Sequence, residues 1–144
     1  MFSSIVVPVD LAELDVSQPA LQKAVALAAM TNSALHLVYV RSILPVTFME
    51  YVPPSFDEEQ QSDCEKRMAE LVSKLPLADK SKVTTAVRMG SVYNEVLAEA
   101  EKYKCDLIVI GSHRPVMATY LLGSNATTIV RHAPCSVLVV RTDK

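Results

Sequence analysis

Leu107-Ile108-Val109-Ile110-Gly111-Ser112-His113-Arg114-Pro115, running on to Tyr120-Leu121-Leu122-Gly123-Ser124, holds a strand, a loop and a helix start in one stretch. The apolar run suits a strand buried on both faces. A helix N-terminus presents backbone N–H groups without partners and a partial positive charge, so a loop feeding into it is suited to an anion, often a phosphate. Gly111 is expected to turn the chain sharply off the strand and Gly123 to bring backbone amides close to a ligand, because glycine lacks a Cβ and tolerates positive φ. Ser124 adds a hydroxyl and reads as the N-cap. Short Gly/Ser patterns also arise by accident, and an ordinary sheet-to-helix loop is the plainer reading of these residues taken alone.

Working outward, the chain alternates strands and helices. Residues 4 to 9, Ser-Ile-Val-Val-Pro-Val, form a first strand that Asp10 follows directly. Ser17 is placed to cap a helix with Leu21, Ala24, Val25 and Ala28 at helical spacing, ending near Thr31-Asn32-Ser33. Residues 34 to 40 form a second strand. The apolar, proline-bearing segment 41 to 54 reads equally as a flap or subunit contact and as a lid over a ligand. Ser55-Phe56-Asp57-Glu58 has capping-box spacing, and Cys64, Met68, Leu71, Val72 and Leu75 mark the inner face of a helix that Pro76 ends. Lys82 to Arg88 is a third strand. Gly90-Ser91 opens a helix through Val92, Val96, Leu97 and Ala100, and its own anion-holding potential is set aside because the fold places it away from the crevice derived next. Cys105 to Ile110 is the fourth strand, residues 125 to 132 a helix stopped by Pro134, and Ser136 to Val140 the fifth strand.

This alternation predicts a single α/β domain over residues 1–144: an open five-stranded parallel sheet of order 3-2-1-4-5 with helices on both faces. In such a sheet, ligands bind beyond the C-terminal strand ends where the strand order reverses. Strands one and four are neighbours at that point, so Asp10 and Gly111 face one crevice.

Composition narrows the function classes. Half the residues are apolar and 21% charged, which is a globular balance. A net charge of −2 leaves no electrostatic footprint for nucleic acid or an anionic membrane. No apolar run reaches the roughly 20 residues of a membrane helix, and the N-terminus, stopped early by Pro8 and Asp10, reads as a strand and not a signal peptide. Cys64, Cys105 and Cys135 are odd in number and far apart, so buried thiols in a reducing cytoplasm are expected, with neither a disulfide framework nor a zinc site.

Pro8-Val9-Asp10, the run from Gly111 to Ser124, and Cys135-Ser136-Val137-Leu138-Val139-Val140, in this order and spacing, resemble the universal stress protein family over the whole length. The Ser112-His113-Arg114-Pro115 loop and the Tyr120 to Ala126 run look most like its small bacterial single-domain members. The resemblance implies an adenine nucleotide alpha hydrolase-like fold, a stress-response role and, in the ATP-binding members, a Gly-x2-Gly-x9-Gly-Ser/Thr loop. Carried over, Gly111, Ser112, Gly123 and Ser124 would cradle phosphates, with Asn125 at the helix start and His113 as a phosphate or ribose contact. Asp10, beside Pro8, would approach ribose or adenine, while Val9, Val40 and Ile110 line the base pocket. The sequence departs from that pattern at Arg114, which stands at the middle glycine, and in an interval of eight residues from there to Gly123. Arg114 either supplies a charged contact to phosphate or, with Pro115, narrows the loop. A charged hydrogen bond is worth about 1.5–3 kcal/mol against the roughly 8 of micromolar affinity, so one altered contact tunes binding and does not decide it.

Other chemistries lack their motifs. There is no Gly-x4-Gly-Lys-Ser/Thr loop, no Gly-x-Gly-x-x-Gly after a strand, and no Gly-x-Ser-x-Gly elbow. His36 reads as packed on its strand and His132 as a helix C-terminal partner. Hydrolysis needs a positioned water and charge neutralisation at the γ-phosphate, for which Asp10 alone is a thin case. The expected function is therefore an occupancy sensor or regulator binding ATP, with or without Mg²⁺, and with at most slow hydrolysis or self-modification. No catalytic or metal-ligating residue is assigned. Family likeness implies a homodimer through the edge strand Ser136–Val140. The competing reading is a dimeric interaction module that binds no nucleotide, its glycine loop vestigial.

Overall fold

The computed structural model describes residues 1–43, 53–112 and 123–141. Residues 44–52 of the expected flap or lid at 41–54, and the loop residues His113 and Arg114, lie outside them. The described elements are β1 (Ser4–Pro8), α1 (Leu14–Thr31), β2 (Ala34–Arg41), α2 (Phe56–Ser73), β3 (Val83–Met89), α3 (Val92–Lys102), β4 (Leu107–Gly111), α4 (Ser124–His132) and β5 (Ser136–Val140). The strands form one five-stranded sheet in the order β3-β2-β1-β4-β5, and every pairing is parallel. The expected architecture is thus observed.

Alternation along the strands explains why both faces are apolar. Ile5, Val7, Leu35, Leu37, Leu107 and Val109 pack with Leu21, Ala24 and Val25 of α1 and with Cys64 and Met68 of α2. Val6, Val38, Val40, Ile108 and Ile110 pack with Val96 and Ala100 of α3 and Ala126 and Ile129 of α4. A strand at the sheet centre has no solvent side, so polar residues would be buried without partners on either face. Ile5, Val6 and Val7 are accordingly fully buried.

Three helix starts differ from the expectation. Ser17 does not cap α1: the helix begins three residues earlier, after Glu13, and accommodates Pro19. Ser17 is instead held inside the second turn by a tertiary hydrogen bond described below. Asn32, in the left-handed conformation, ends α1 as expected of an Asn at that position. The capping box at Ser55 does not form; its hydroxyl donates to Glu59 Oε1 at 3.1 Å, one residue beyond Glu58. At α4 the N-cap is Gly123, and Ser124 is the first helical residue.

The α3 face buries a polar cluster. His36 on β2 and Glu99 on α3 are 2% and 1% exposed, and His36 Nε2 lies 2.9 Å from Glu99 Oε2. Because a carboxylate only accepts, Nε2 carries the proton; Nδ1 then accepts from the Thr84 hydroxyl. Arg88 on β3 reaches Glu99 Oε1 at 3.3 Å and Glu95 Oε1 at 2.8 Å, and Tyr103 stacks on the imidazole with centroids 4.0 Å apart. Burial holds the His36 pKa below its ordinary 6.5, outweighing the Glu99 carboxylate that pulls it upward. A histidine whose folded pKa is depressed gives stability that is complete above about 6.5 and is lost as pH falls below that value through the folded one. Urea midpoints should therefore drop between pH 7.5 and 5.5, and the slope should flatten in His36→Gln. A midpoint unchanged over that interval would show that His36 is not held neutral.

Candidate functional site

The strand order reverses between β1 and β4, which are paired through Ile5–Leu107 and Val6–Ile108. Their C-terminal ends carry Asp10 and Gly111 to the same edge of the sheet, as the topology requires.

At the β1 end, Val9 N–H donates to Val38 O at 2.8 Å and continues the ladder past Pro8. The next residues form a tight turn: Glu13 N–H donates to Asp10 O at 3.1 Å and Ala12 N–H to Asp10 Oδ1 at 2.9 Å. Asp10 N–H donates to the buried Ser17 hydroxyl at 2.7 Å. From the other side, Arg67 of α2 donates to Leu11 O. The acid is therefore held by contacts from its own turn and from α1, with the adjoining residue tied to α2. Sequence reasoning found Asp10 but not these supports. Ser17 carried a local signal, read as a cap, whereas Arg67 lay unremarked on a charged helix face.

At the β4 end, Gly111 is the last ladder residue, opposite Val140, and Ser112 N–H donates to Val140 O at 3.1 Å. The sheet therefore uses the Ser112 amide, and Ser112 is buried. Gly111 does not adopt a positive φ; among the described glycines only Gly90 does, at 145°. Among the described residues, a Cβ at Gly111 would meet nothing nearer than Val16 O at 4.0 Å. Neither backbone strain nor crowding by the described residues demands glycine there. What its absent side chain does is leave space between the end of β4 and the start of α1.

Across the gap, Gly123 has an ordinary extended conformation, φ −66° and ψ 163°, and Thr127 N–H donates to its carbonyl at 2.9 Å. No side chain among the described residues caps α4. Ser124 and Asn125 are exposed in its first turn, and a helix N-terminus presents N–H groups that suit an anion.

Of the expected base-pocket residues, Val40 and Ile110 come together in the α3/α4 cluster, both nearly buried. The Val9 side chain packs in the other cluster, against the α1 face. Arg41, next to Val40, is committed elsewhere: its guanidinium donates to Asp57 Oδ1 at 2.9 Å and Gln61 Oε1 at 3.0 Å. No metal-holding cluster of His, Cys, Asp and Glu occurs among the described residues, and no described helix is long and apolar enough to cross a membrane. A cavity of about 570 Å³ lies between α1 and α2, lined by Leu14, Leu21, Val25, Leu71 and Leu75 and reached by Arg67. It contains neither Asp10 nor Gly111, and the convergent polar groups are at the strand ends, so the crevice and not this cavity is the candidate site.

Known proteins carry the same plan. The chain is 38% identical over 144 residues to universal stress protein G of Escherichia coli O157:H7, covering 98% of this chain and all of that one. Among solved structures, universal stress protein UspA from Lactobacillus plantarum superposes with a TM-score of 0.76 at 24% identity, covering 96% of this chain and 97% of that one. A universal stress protein in complex with cAMP gives 0.68 at 21%, with 96% of each chain covered. The Archaeoglobus fulgidus protein in complex with dAMP gives 0.61 at 17%, covering 96% of this chain and 97% of that one. The model of the universal stress protein family matches residues 1–141, and with these relatives it establishes that the chain belongs to that family.

Proposed function

We propose that this protein binds an adenine nucleotide, ATP with or without Mg²⁺, in the crevice between β1 and β4, and that occupancy is its signal. What supports this reading is the placing of the pinned Asp10 and of Gly111 at the strand-order reversal, together with an α4 start that no described side chain caps. Asp10 accepts hydroxyl or amino hydrogens of the nucleoside, Val40 and Ile110 border the base, and Gly123, Ser124 and Asn125 face the phosphates, with Ser112, His113 and Arg114 in the connecting loop. Adenine nucleotides in two structures of the same fold support the choice of ligand. A regulator in the cytoplasm, with hydrolysis slow or absent, fits a site whose described residues supply one carboxylate.

Calorimetric titration with ATP and AMP tests the reading. Binding in the micromolar range is expected, lost in Gly123→Val, where a branched side chain crowds the helix start. Ligand at 100 times its Kd should add about 2.7 kcal/mol of stability and raise Tm accordingly. No heat and no Tm shift at millimolar ATP would overturn it.

One observation favours the second reading, a dimeric interaction module. Leu138 on the edge strand β5 is 38% exposed, and an unpaired apolar edge tends to be covered. Sedimentation of the same nucleotide-free samples separates the two: a dimer through Ser136–Val140 that binds no ATP would leave the module reading standing alone.

A further inference from the structure

Asp10 is useful to a ligand only if its carboxylate is held still, and one of the bonds that hold its turn comes from a buried hydroxyl of α1. Ser17 lies in α1, 8% exposed, seven residues beyond Asp10, and accepts the Asp10 N–H at 2.7 Å. The neighbouring bonds complete the turn. Once the Asp10 amide is fixed, its carbonyl meets Glu13 N–H and its Oδ1 meets Ala12 N–H, leaving Oδ2 with no described partner. Ser17 is the fourth residue of α1, and the usual local acceptor of a serine hydroxyl inside a helix is a carbonyl one turn back. Here the described hydroxyl bond runs out of the helix to the strand end. The same turn is braced at Leu11 O by Arg67, so α1 and α2 both fix its position.

We infer that Ser17 is a positioning residue of the nucleotide site: its buried hydroxyl orients the Asp10 turn so that the second carboxylate oxygen points its lone pairs at the ligand. The inference rests on the nucleotide-binding reading above and adds to it a residue that acts through another. Without the hydroxyl, the Asp10 amide loses its acceptor and the turn loses this tie to α1, so the carboxylate samples more orientations from which the ligand must then select.

The test is a double-mutant cycle read by calorimetry with AMP and ATP. Ser17→Ala should weaken binding roughly tenfold, the equivalent of one hydrogen bond. In an Asp10→Ala background the same substitution should change affinity less than twofold, because the group it positions is gone. Ser17→Thr, which keeps the hydroxyl, should restore most of the affinity. Melting of the nucleotide-free proteins gives the structural reference: a merely structural serine would lower Tm equally in both backgrounds and leave the two affinity ratios equal. Equal ratios, or a Ser17→Ala protein that binds as tightly as the parent, would overturn the inference while nucleotide binding itself stands. Absence of binding by the parent protein would instead overturn the underlying reading and this inference with it.

Discussion

Glu99→Ala should destabilise the protein by about 1–3 kcal/mol, the cost of leaving a buried hydrogen-bond donor without its acceptor. The argument is one of unmade bonds. Glu99 is 1% exposed and its two oxygens serve different donors, Oε2 the His36 ring at 2.9 Å and Oε1 the Arg88 guanidinium at 3.3 Å. Deleting the carboxylate strands the His36 N–H in a site that water does not reach and removes the side chain's own packing against β2. Arg88 suffers less: it is 40% exposed at the side chain and keeps Glu95 at 2.8 Å. Glu99→Gln retains an acceptor and should lose about half as much. Replacing His36 and Glu99 together by leucine should recover much of the loss, because paired polar groups exchanged for apolar ones of similar shape are often neutral. Urea unfolding followed by circular dichroism measures all three. A Glu99→Ala loss below about 1 kcal/mol would mean that the cluster is solvated and the ion pair ornamental.

Met68→Ala is expected to lose about 2–5 kcal/mol, by lost transfer energy and by the cavity left behind. Met68 is fully buried on the inner face of α2 and belongs to the cluster formed by Leu37, Val7 and α1. Its position matters because α2 has few such anchors: besides Met68, only Cys64 on this helix is buried, with Leu71 and Val72 half-buried. Helical propensity alone holds a single helix only marginally in water, so this face keeps α2 docked. Met68→Leu, close in volume, should lose less than about 1.5 kcal/mol. Hydrogen exchange along α2 provides the local readout, and protection unchanged in Met68→Ala would show that the helix is held by its polar ties, such as Arg41 to Asp57 and Gln61.

The same two residues show where reading the sequence succeeds. Met68 was marked as core because Cys64, Met68, Leu71, Val72 and Leu75 recur at helical spacing, and that period reports burial directly. Glu99 was passed over. It falls on the apolar stripe of Val92, Val96 and Ala100, so a carboxylate there had to be buried or to twist the helix; the signal was present but named no partner. The partners His36 and Arg88 come from β2 and β3, and only the β2–β3 pairing, in which His36 lies opposite Thr84 and Val40 opposite Arg88, brings them under α3.

The candidate site divides along the same line. The order of strands and helices, the sheet topology and the meeting of Asp10 with Gly111 at the reversal were determined by the sequence, because they follow from local periodicity, turn residues and the handedness of parallel crossovers. The tertiary structure decided the rest. It put the Val9 side chain on the opposite face from Val40 and Ile110, since alternation sets Val9 on the face of Ile5 and Val7 while the register of the parallel pairs sets Val40 and Ile110 on that of Val6. It moved the α4 cap to Gly123, released Gly111 from any need for positive φ, and turned Ser17 from a helix cap into the support of Asp10. A hydrogen bond over seven residues between a strand end and a helix has no period and no motif. It exists because folding brings two short polar groups together where water is excluded, and each then satisfies the other.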